Sequence, residues 1–240
     1  RVAKTPDVDF TGKDGVRHTS WTVADTEGIK FIADQFAKIP FLYIADGHHR
    51  SAAASRVAKS RGAGEHHFLT VIFPHHEMKI LDYNRLIKDL SGMSEVTLLE
   101  KLRERCSVEP SAGPVHPKQS GEFGLYLNQR WHRLQIDTAR IPADPVGSLD
   151  VSLLHDHLIA PLLGITDPRR DTRIDFVGGI RGLGELERRV DSGEMALAFS
   201  LRPTPIESLF AVADAGNVMP PKSTWFEPKL ADGLLSNVLD

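Results

Sequence analysis

Short apolar runs recur along this chain between stretches of helical spacing, and that alternation limits the fold more than any other feature. Residues 41–45 (Phe-Leu-Tyr-Ile-Ala) and 68–73 are too short for buried helices and read as buried strands. Residues 80–87, 174–177 and 195–201 extend the sheet, and 16–23 alternates as a half-exposed strand. Asp25 suits the N-cap of a helix in which Ile29, Ile32, Ala33 and Phe36 share a face, with Pro40 as its stop. An alanine-rich helix is expected from His48 to Arg61, ended by Gly62 and Gly64. Further helices are expected over 94–105, from a Ser148 or Asp150 cap to Leu163, over 184–191 and over 206–213. Residues 109–121, with three prolines and two glycines, read as a loop. Residues 123–127 and 131–136 flank Asn128-Gln129-Arg130 as a hairpin. Interleaved strands and helices with a hairpin make the class α+β (mixed α/β).

Composition narrows the function classes. With 240 residues and 41% hydrophobic content there is ample capacity for a core. A net charge of −3 supplies no global basic field, so no nucleic-acid partner is expected. No apolar stretch is long enough for a bilayer, and no membrane partner is expected. Cys106 is the single cysteine, which excludes an internal disulfide and fits a reducing cytoplasm, the expected location. The chain begins at Arg1 without an initiator Met and reads as a fragment whose N-terminal part is absent.

Chemistry concentrates where an apolar run feeds Asp46-Gly47-His48-His49-Arg50 and then a helix. A helix start presents unpaired backbone N–H groups at the positive end of its dipole. Gly47 allows a sharp turn and a close backbone approach to a ligand. Arg50 offers a planar fork of donors to phosphate oxygens, and Ser51 lies beside it. His48 and His49 add donors or a base. Asp46 would repel a phosphate, so its role is to orient Arg50 or a histidine, or to hold Mg²⁺. The rival account is a simple cap with surface histidines.

The run YIADGHHRSAAA and the tail MPPKSTWFEPKL resemble a conserved bacterial family of unknown function whose members are associated with serine biosynthesis. The similarity extends over nearly the whole chain, including SLDVSLLHDHLIAPLLGI and RIDFVGGIRGLGELERRVDSGE. The Asp-Gly-x-His-Arg core is also similar to the signature of the ParB/sulfiredoxin superfamily, which includes partition proteins, sulfiredoxin and free-serine kinases. That resemblance implies a ParB/sulfiredoxin-like core with additional sheet and helices, and phosphate at the Asp46–Arg50 turn. It divides the chain into a motif region, 1–108, and a C-terminal α/β region, 109–240, packed against it; a single domain is the alternative. Sulfiredoxin chemistry is disfavoured, because His48 or His49 stands where that motif has cysteine. The acidic base of the serine kinases maps to no residue of this chain.

Two further runs carry ligand-type residues. Residues 216–223 nearly fit P-loop spacing, but Pro221 stands where the second glycine belongs, and proline supplies neither the donor nor the positive φ that a phosphate cradle needs. Lys222, Ser223 and Thr224 remain phosphate-type ligands on a proline-stiffened loop. Gly178 and Gly179 end a strand ahead of Arg181, a candidate substrate loop or a plain tight turn. The doublets His48-His49, His66-His67 and His75-His76 lack zinc-ligand spacing. Asp150 and Asp156 read as a cap and a surface or packing carboxylate rather than a catalytic pair.

The expectation is therefore an ATP- or ADP-dependent small-molecule kinase. It would use Mg²⁺ and transfer phosphoryl to a hydroxylated metabolite such as free L-serine, the acceptor coming from the resemblance. Asp46, His48 and His49 would be catalytic. Gly47, Arg50, Ser51, Lys222, Ser223 and Thr224 would bind phosphate, and Gly178, Gly179 and Arg181 the substrate. The alternatives are a non-enzymatic nucleotide-sensing module and a phosphoester hydrolase.

Overall fold

The computed structural model describes residues 4–62, 67–231 and 233–236, so the expected roles of Gly64 and His66 lie outside the described residues. Two compact units divide the chain: unit 1 is Arg1–Val71 with Lys229–Asp240, and unit 2 is Ile72–Pro228. Helices and antiparallel sheets coexist, as the α+β expectation requires.

In unit 1, β1 (Val8–Thr11) and β2 (Arg17–Ser20) form an antiparallel hairpin, clamped where Arg17 donates to both Asp9 oxygens at 2.7 and 2.6 Å. The Asp25 carboxylate accepts from Gly28 N at 2.7 Å and caps α1 (Thr26–Phe36), the expected N-terminus. Helix α2 (His48–Arg61) has the expected bounds, with Gly47 before it and Gly62 after it, both at positive φ. Two expectations fail here. Residues 41–45 and 68–73 are not strands, and Phe41 is 74% exposed and Phe68 56%. A strand forms only where a neighbouring edge takes up its N–H and C=O groups, and among the described residues no segment pairs with either run. Apolar composition supplied the expectation; a pairing partner would have to make it true.

Unit 2 carries the core. Its main sheet comprises β4 (Tyr83–Ile87), β5 (Ser107–Ser111), β6 (Glu122–Leu127), β7 (Arg130–Gln135), β8 (Ile174–Gly178) and β9 (Leu197–Ser200). The order is β5-β7-β6-β9-β4-β8, antiparallel throughout, so it draws strands from both sides of residue 108. A separate two-stranded ladder joins β3 (Lys79–Leu81) to β10 (Trp225–Glu227). Asn128 and Gln129 both take positive φ, 47° and 59°, giving a two-residue turn whose twist matches the β6–β7 hairpin. The expected loop over 109–121 begins later, because β5 runs through Pro110 to Ser111. Being the edge strand, β5 can place a residue without an N–H.

Side chains alternate across this sheet into two buried clusters. Phe123, Leu125 and Leu127 join Ile87 and Phe199 on one face, packed with Leu98 and Leu102 of α3 (Glu95–Arg103). Tyr126, Leu86 and Ala198 point the other way, toward Leu186 of α6 (Gly184–Asp191). The first cluster also takes in Leu153, Leu158 and Leu163, and Val212 of α7 (Ile206–Asp214).

The helix expected to run unbroken to Leu163 is instead α4 (Asp150–Leu154), a π-helical turn (His155–Ile159) and α5 (Ala160–Leu163). Pro161 has no N–H for the His157 carbonyl, which accepts from Arg105 Nη1 at 3.4 Å. Neither Ser148 nor Asp150 caps this helix; Leu149 stands at the N-cap. Asp150 is buried and turned elsewhere, accepting from Gly121 N at 2.7 Å and from Arg202 Nε at 2.5 Å.

Candidate functional site

Gly47 sits at φ 81°, ψ 25°, a left-handed conformation that turns the chain straight into α2. The first intrahelical bond runs from Ser51 N to Gly47 O at 2.9 Å, so the amides of His48, His49 and Arg50 have no partner within the helix. No side chain caps this end, and the first turn contains no acidic residue. Among the described residues the helix therefore starts with amides that no side chain caps and with three exposed basic side chains at the positive end of its dipole.

Asp46 does not spoil this field, because cations surround it. Its Oδ1 accepts from Gly47 N at 2.7 Å, and its Oδ2 pairs with Lys229 Nζ at 3.1 Å. Partial desolvation raises the Asp46 pKa, but the hydrogen bonds from Lys229 and Gly47 and the charges of Lys229 and Arg50 outweigh it and hold the carboxyl below its ordinary range. The Arg50 guanidinium lies over Gly47: a Cβ there would stand 3.3 Å from Nη2 and 3.4 Å from Nε. The turn thus gathers Asp46, Gly47, His48, His49 and Arg50 with Lys229, which the sequence reading did not single out. Its signal lay in the quoted tail, whose Phe-Glu-Pro-Lys run ends on it.

The remaining candidates belong to unit 2, where the structure brings two of the runs together. Lys222 adopts φ 58°, exposes its side chain and holds Nζ 5.5 Å from the Tyr83 ring centre. Ser223 is buried, its hydroxyl donating to Pro220 O at 2.6 Å, while Thr204 Oγ1 donates to Ser223 O at 2.8 Å. Thr224 is half-buried beside them. Gly178 pairs with Tyr83 across β4 and β8, and a Cβ on it would collide with the Trp225 ring. A Cβ on Gly179 would collide with the Asp82 carboxylate, and Gly179 N donates to Asp82 O at 2.8 Å. Close packing thus accounts for both glycines, while Arg181 is exposed at the end of their turn.

The same strand holds a second residue that sequence reading missed. Arg85 is 5% exposed, and its guanidinium donates to the carbonyls of Tyr83 and of Lys222, the latter at 2.9 Å. Burial pushes its pKa down to about 9. A charged residue inside the apolar stretch 80–87 was the available signal. Among the described residues no three His, Cys, Asp or Glu side chains cluster as a metal site would require.

The family model for DUF1015, a protein family of unknown function, matches residues 1–152. This chain belongs to that family. The match includes the whole Asp46–Arg50 turn, while the tail and the Gly178-Gly179 pair fall outside it. No curated protein matches the chain. Among solved structures the DUF1015 chain is similar to a free serine kinase in complex with AMP, at 18% identity and a TM-score of 0.43, covering 85% of this chain and 81% of that one. A conserved hypothetical protein from Pyrococcus furiosus shows 19% identity and a TM-score of 0.43, covering 82% and 81% respectively. A variant of free serine kinase in complex with ADP shows 19% identity and a TM-score of 0.42, covering 85% and 81%. Among the described residues no helix is long and apolar enough to cross a membrane.

Proposed function

We propose that this chain binds ATP or ADP and transfers a phosphoryl group to a small hydroxylated metabolite, with free L-serine the first acceptor to test. The observation that carries the proposal is the start of α2: a left-handed Gly47, unpartnered amides and Arg50 folded over the turn, with no acid in the first helical turn. Backbone amides and a guanidinium converging at a helix N-terminus form an anion site that favours phosphoryl oxygens and the charge they carry during transfer.

In this reading Gly47, Arg50 and Ser51 hold phosphate, and His48 or His49 accepts or donates the proton of the reacting hydroxyl. Asp46 positions rather than reacts, because Lys229 and the Gly47 amide already occupy its two oxygens. Mg²⁺ would arrive on the nucleotide's phosphates, since such ions take one or two carboxylates and keep water or phosphate as their other ligands. In unit 2, Lys222, Ser223 and Thr224 are assigned phosphate contact, Ser223 through its backbone because its hydroxyl is engaged. Arg181 is assigned substrate contact, with Gly178 and Gly179 shaping the turn that presents it. The ParB/sulfiredoxin-like character of the turn and the choice of serine both rest on the resemblance of the Asp-Gly-x-His-Arg core.

The test incubates the protein with Mg²⁺ and ATP or ADP, with and without L-serine, and follows phosphoserine and nucleotide by ³¹P NMR. Serine-dependent conversion of nucleotide supports a kinase. Nucleotide binding without consumption supports a sensing module, and release of phosphate from phosphoserine without nucleotide supports a hydrolase. Failure to bind any nucleotide removes the proposal.

A further inference from the structure

Unit 2 carries a half-open cavity of about 380 Å³ whose wall includes Arg85 and Ser152. Arg85 packs 5.2 Å from the centre of the Phe176 ring, which also lines the cavity. Its two hydrogen bonds use one N–H on each terminal nitrogen, so the Nε–H and two further N–H groups have no acceptor among the described residues. No carboxylate forms an ion pair with it among the described residues. A guanidinium removed from water without a counter-charge is costly, and natural interiors pair such groups. Ser152 is 6% exposed, and its hydroxyl has no hydrogen-bond partner among the described residues. Two buried polar side chains therefore reach one cavity with donor capacity unused.

The remainder of the wall indicates the ligand's chemistry. Asp156 is exposed, lines the cavity and makes no ion pair among the described residues. Asp167 and Arg169 also line it, Asp167 accepting from Arg169 N at 3.0 Å and facing Arg170, so two arginines and two aspartates share the wall. Ile159, Ile174, Met219 and Pro220 make much of the remaining lining apolar. A wall whose arginine and aspartate charges balance disfavours a phosphate dianion and suits a zwitterion, with Asp156 the lining carboxylate that no cation pairs among the described residues. Ser152, in α4, and Asp156, in the π-helical turn that follows it, stand about one turn apart on one helical run. A molecule with adjacent carboxylate and ammonium groups can bridge that span with a hydrogen bond at each end. The π-helical turn that begins at His155 widens the helix at this point, a feature often found at functional sites.

We propose that this cavity binds a small α-amino acid, its carboxylate on Arg85 and Ser152 and its ammonium on Asp156. The site is built from unit 2 alone and does not rest on the phosphate-turn reading. L-Alanine is therefore the probe: it has no side-chain hydroxyl to phosphorylate, and no nucleotide is added. Isothermal calorimetry and thermal melts of the full chain compare L-alanine, propionate, ethylammonium and inorganic phosphate. L-Alanine should bind, propionate should bind more weakly, and ethylammonium and phosphate should not bind. Ser152→Ala leaves the ligand-free melt in place and should weaken L-alanine binding by about ten- to a hundredfold, the usual effect of losing one hydrogen bond to a charged group. Asp156→Asn should weaken L-alanine but leave propionate unchanged. Arg85→Gln should abolish binding of both; should it fail to fold, the other two variants still decide. Phosphate binding more tightly than L-alanine, no carboxylate binding at millimolar concentration, or full binding by Ser152→Ala and Asp156→Asn would each overturn the assignment.

Discussion

Replacing Gly47 with alanine separates what the turn needs for folding from what it needs for a ligand. At φ 81° an L-residue meets the clash that disfavours left-handed backbone, about 1–2 kcal/mol for alanine. The new Cβ would also stand 3.3 Å from Arg50 Nη2, which a flexible side chain relieves by moving a few tenths of an ångström. The stability cost is therefore about 1–2 kcal/mol, nearly all of it backbone, placed at the start of α2. Hydrogen exchange of the α2 amides should show that loss locally. Gly47→Asn is the control, because asparagine tolerates left-handed φ better while adding a Cβ in the same place. If Gly47 serves close approach of a phosphate, both variants lose ADP affinity by calorimetry, and only the alanine variant loses protection. Reduced protection with unchanged affinity would show the glycine to be a helix-entry device and nothing more. Wild-type protection in Gly47→Ala would refute the strain argument itself.

The other expected outcomes concern charge. Arg50→Ala should weaken ADP binding by about 1.5–3 kcal/mol, the worth of a charge-assisted hydrogen bond, with the melting temperature flat or slightly raised because a cation at a helix start opposes the dipole; a marked fall in the ligand-free melt would make Arg50 structural. The Asp46 carboxyl is held below its ordinary range, so its contacts with Lys229 and Gly47 are complete above the unfolded carboxylate pKa of about 3.9 and fade as pH falls through the lower folded value. NMR titration of the Asp46 carboxyl carbon should place its midpoint below that of an exposed aspartate, and Lys229→Ala should raise it. Asp150→Ala should cost about 3 kcal/mol in a urea melt, since it strands Gly121 N and leaves Arg202 without its carboxylate; the partial exposure of Arg202 keeps the figure at the low end for buried pairs.

Elements marked by local chemistry were legible from the sequence. Gly47 and Gly62 bracket α2 because the backbone at both positions takes positive φ, and α6 follows the sequence reading over 184–191. The β6–β7 hairpin was marked by Asn128-Gln129-Arg130 between residues 123–127 and 131–136. What depended on a partner was not legible. Residues 41–45 have a strand's composition and, among the described residues, no edge to pair with, and Asp150 looked like a cap until Arg202, 52 residues later, claimed it. The π-helical turn lies just before Pro161, whose missing N–H is visible in sequence while the geometry of the preceding turn is not. The site divides in the same way. Asp46 to Arg50 could be read because five consecutive residues share one turn, whereas Lys229 meets Asp46 from 183 residues away.

The two arginines carry different weight as signs of a ligand. Arg50 is exposed at a helix start, where water satisfies its N–H groups, so its position is compatible with a bound anion without requiring one. Arg85 is held out of water by β4, the Phe176 ring and the tail loop, with two carbonyls as its only acceptors among the described residues. If packing alone governed that position, an apolar side chain of similar volume would stabilise the unit by removing the desolvation penalty. Arg85→Met tests this: with no amino acid present the variant should melt at or above the wild-type temperature. Saturating L-alanine should then raise the wild-type melt and leave the variant's unchanged, because mass action stabilises only a chain that binds. A variant that melts far below wild type without ligand would show that the two carbonyl contacts justify the guanidinium by themselves, and the argument from an unpaired buried charge would fail.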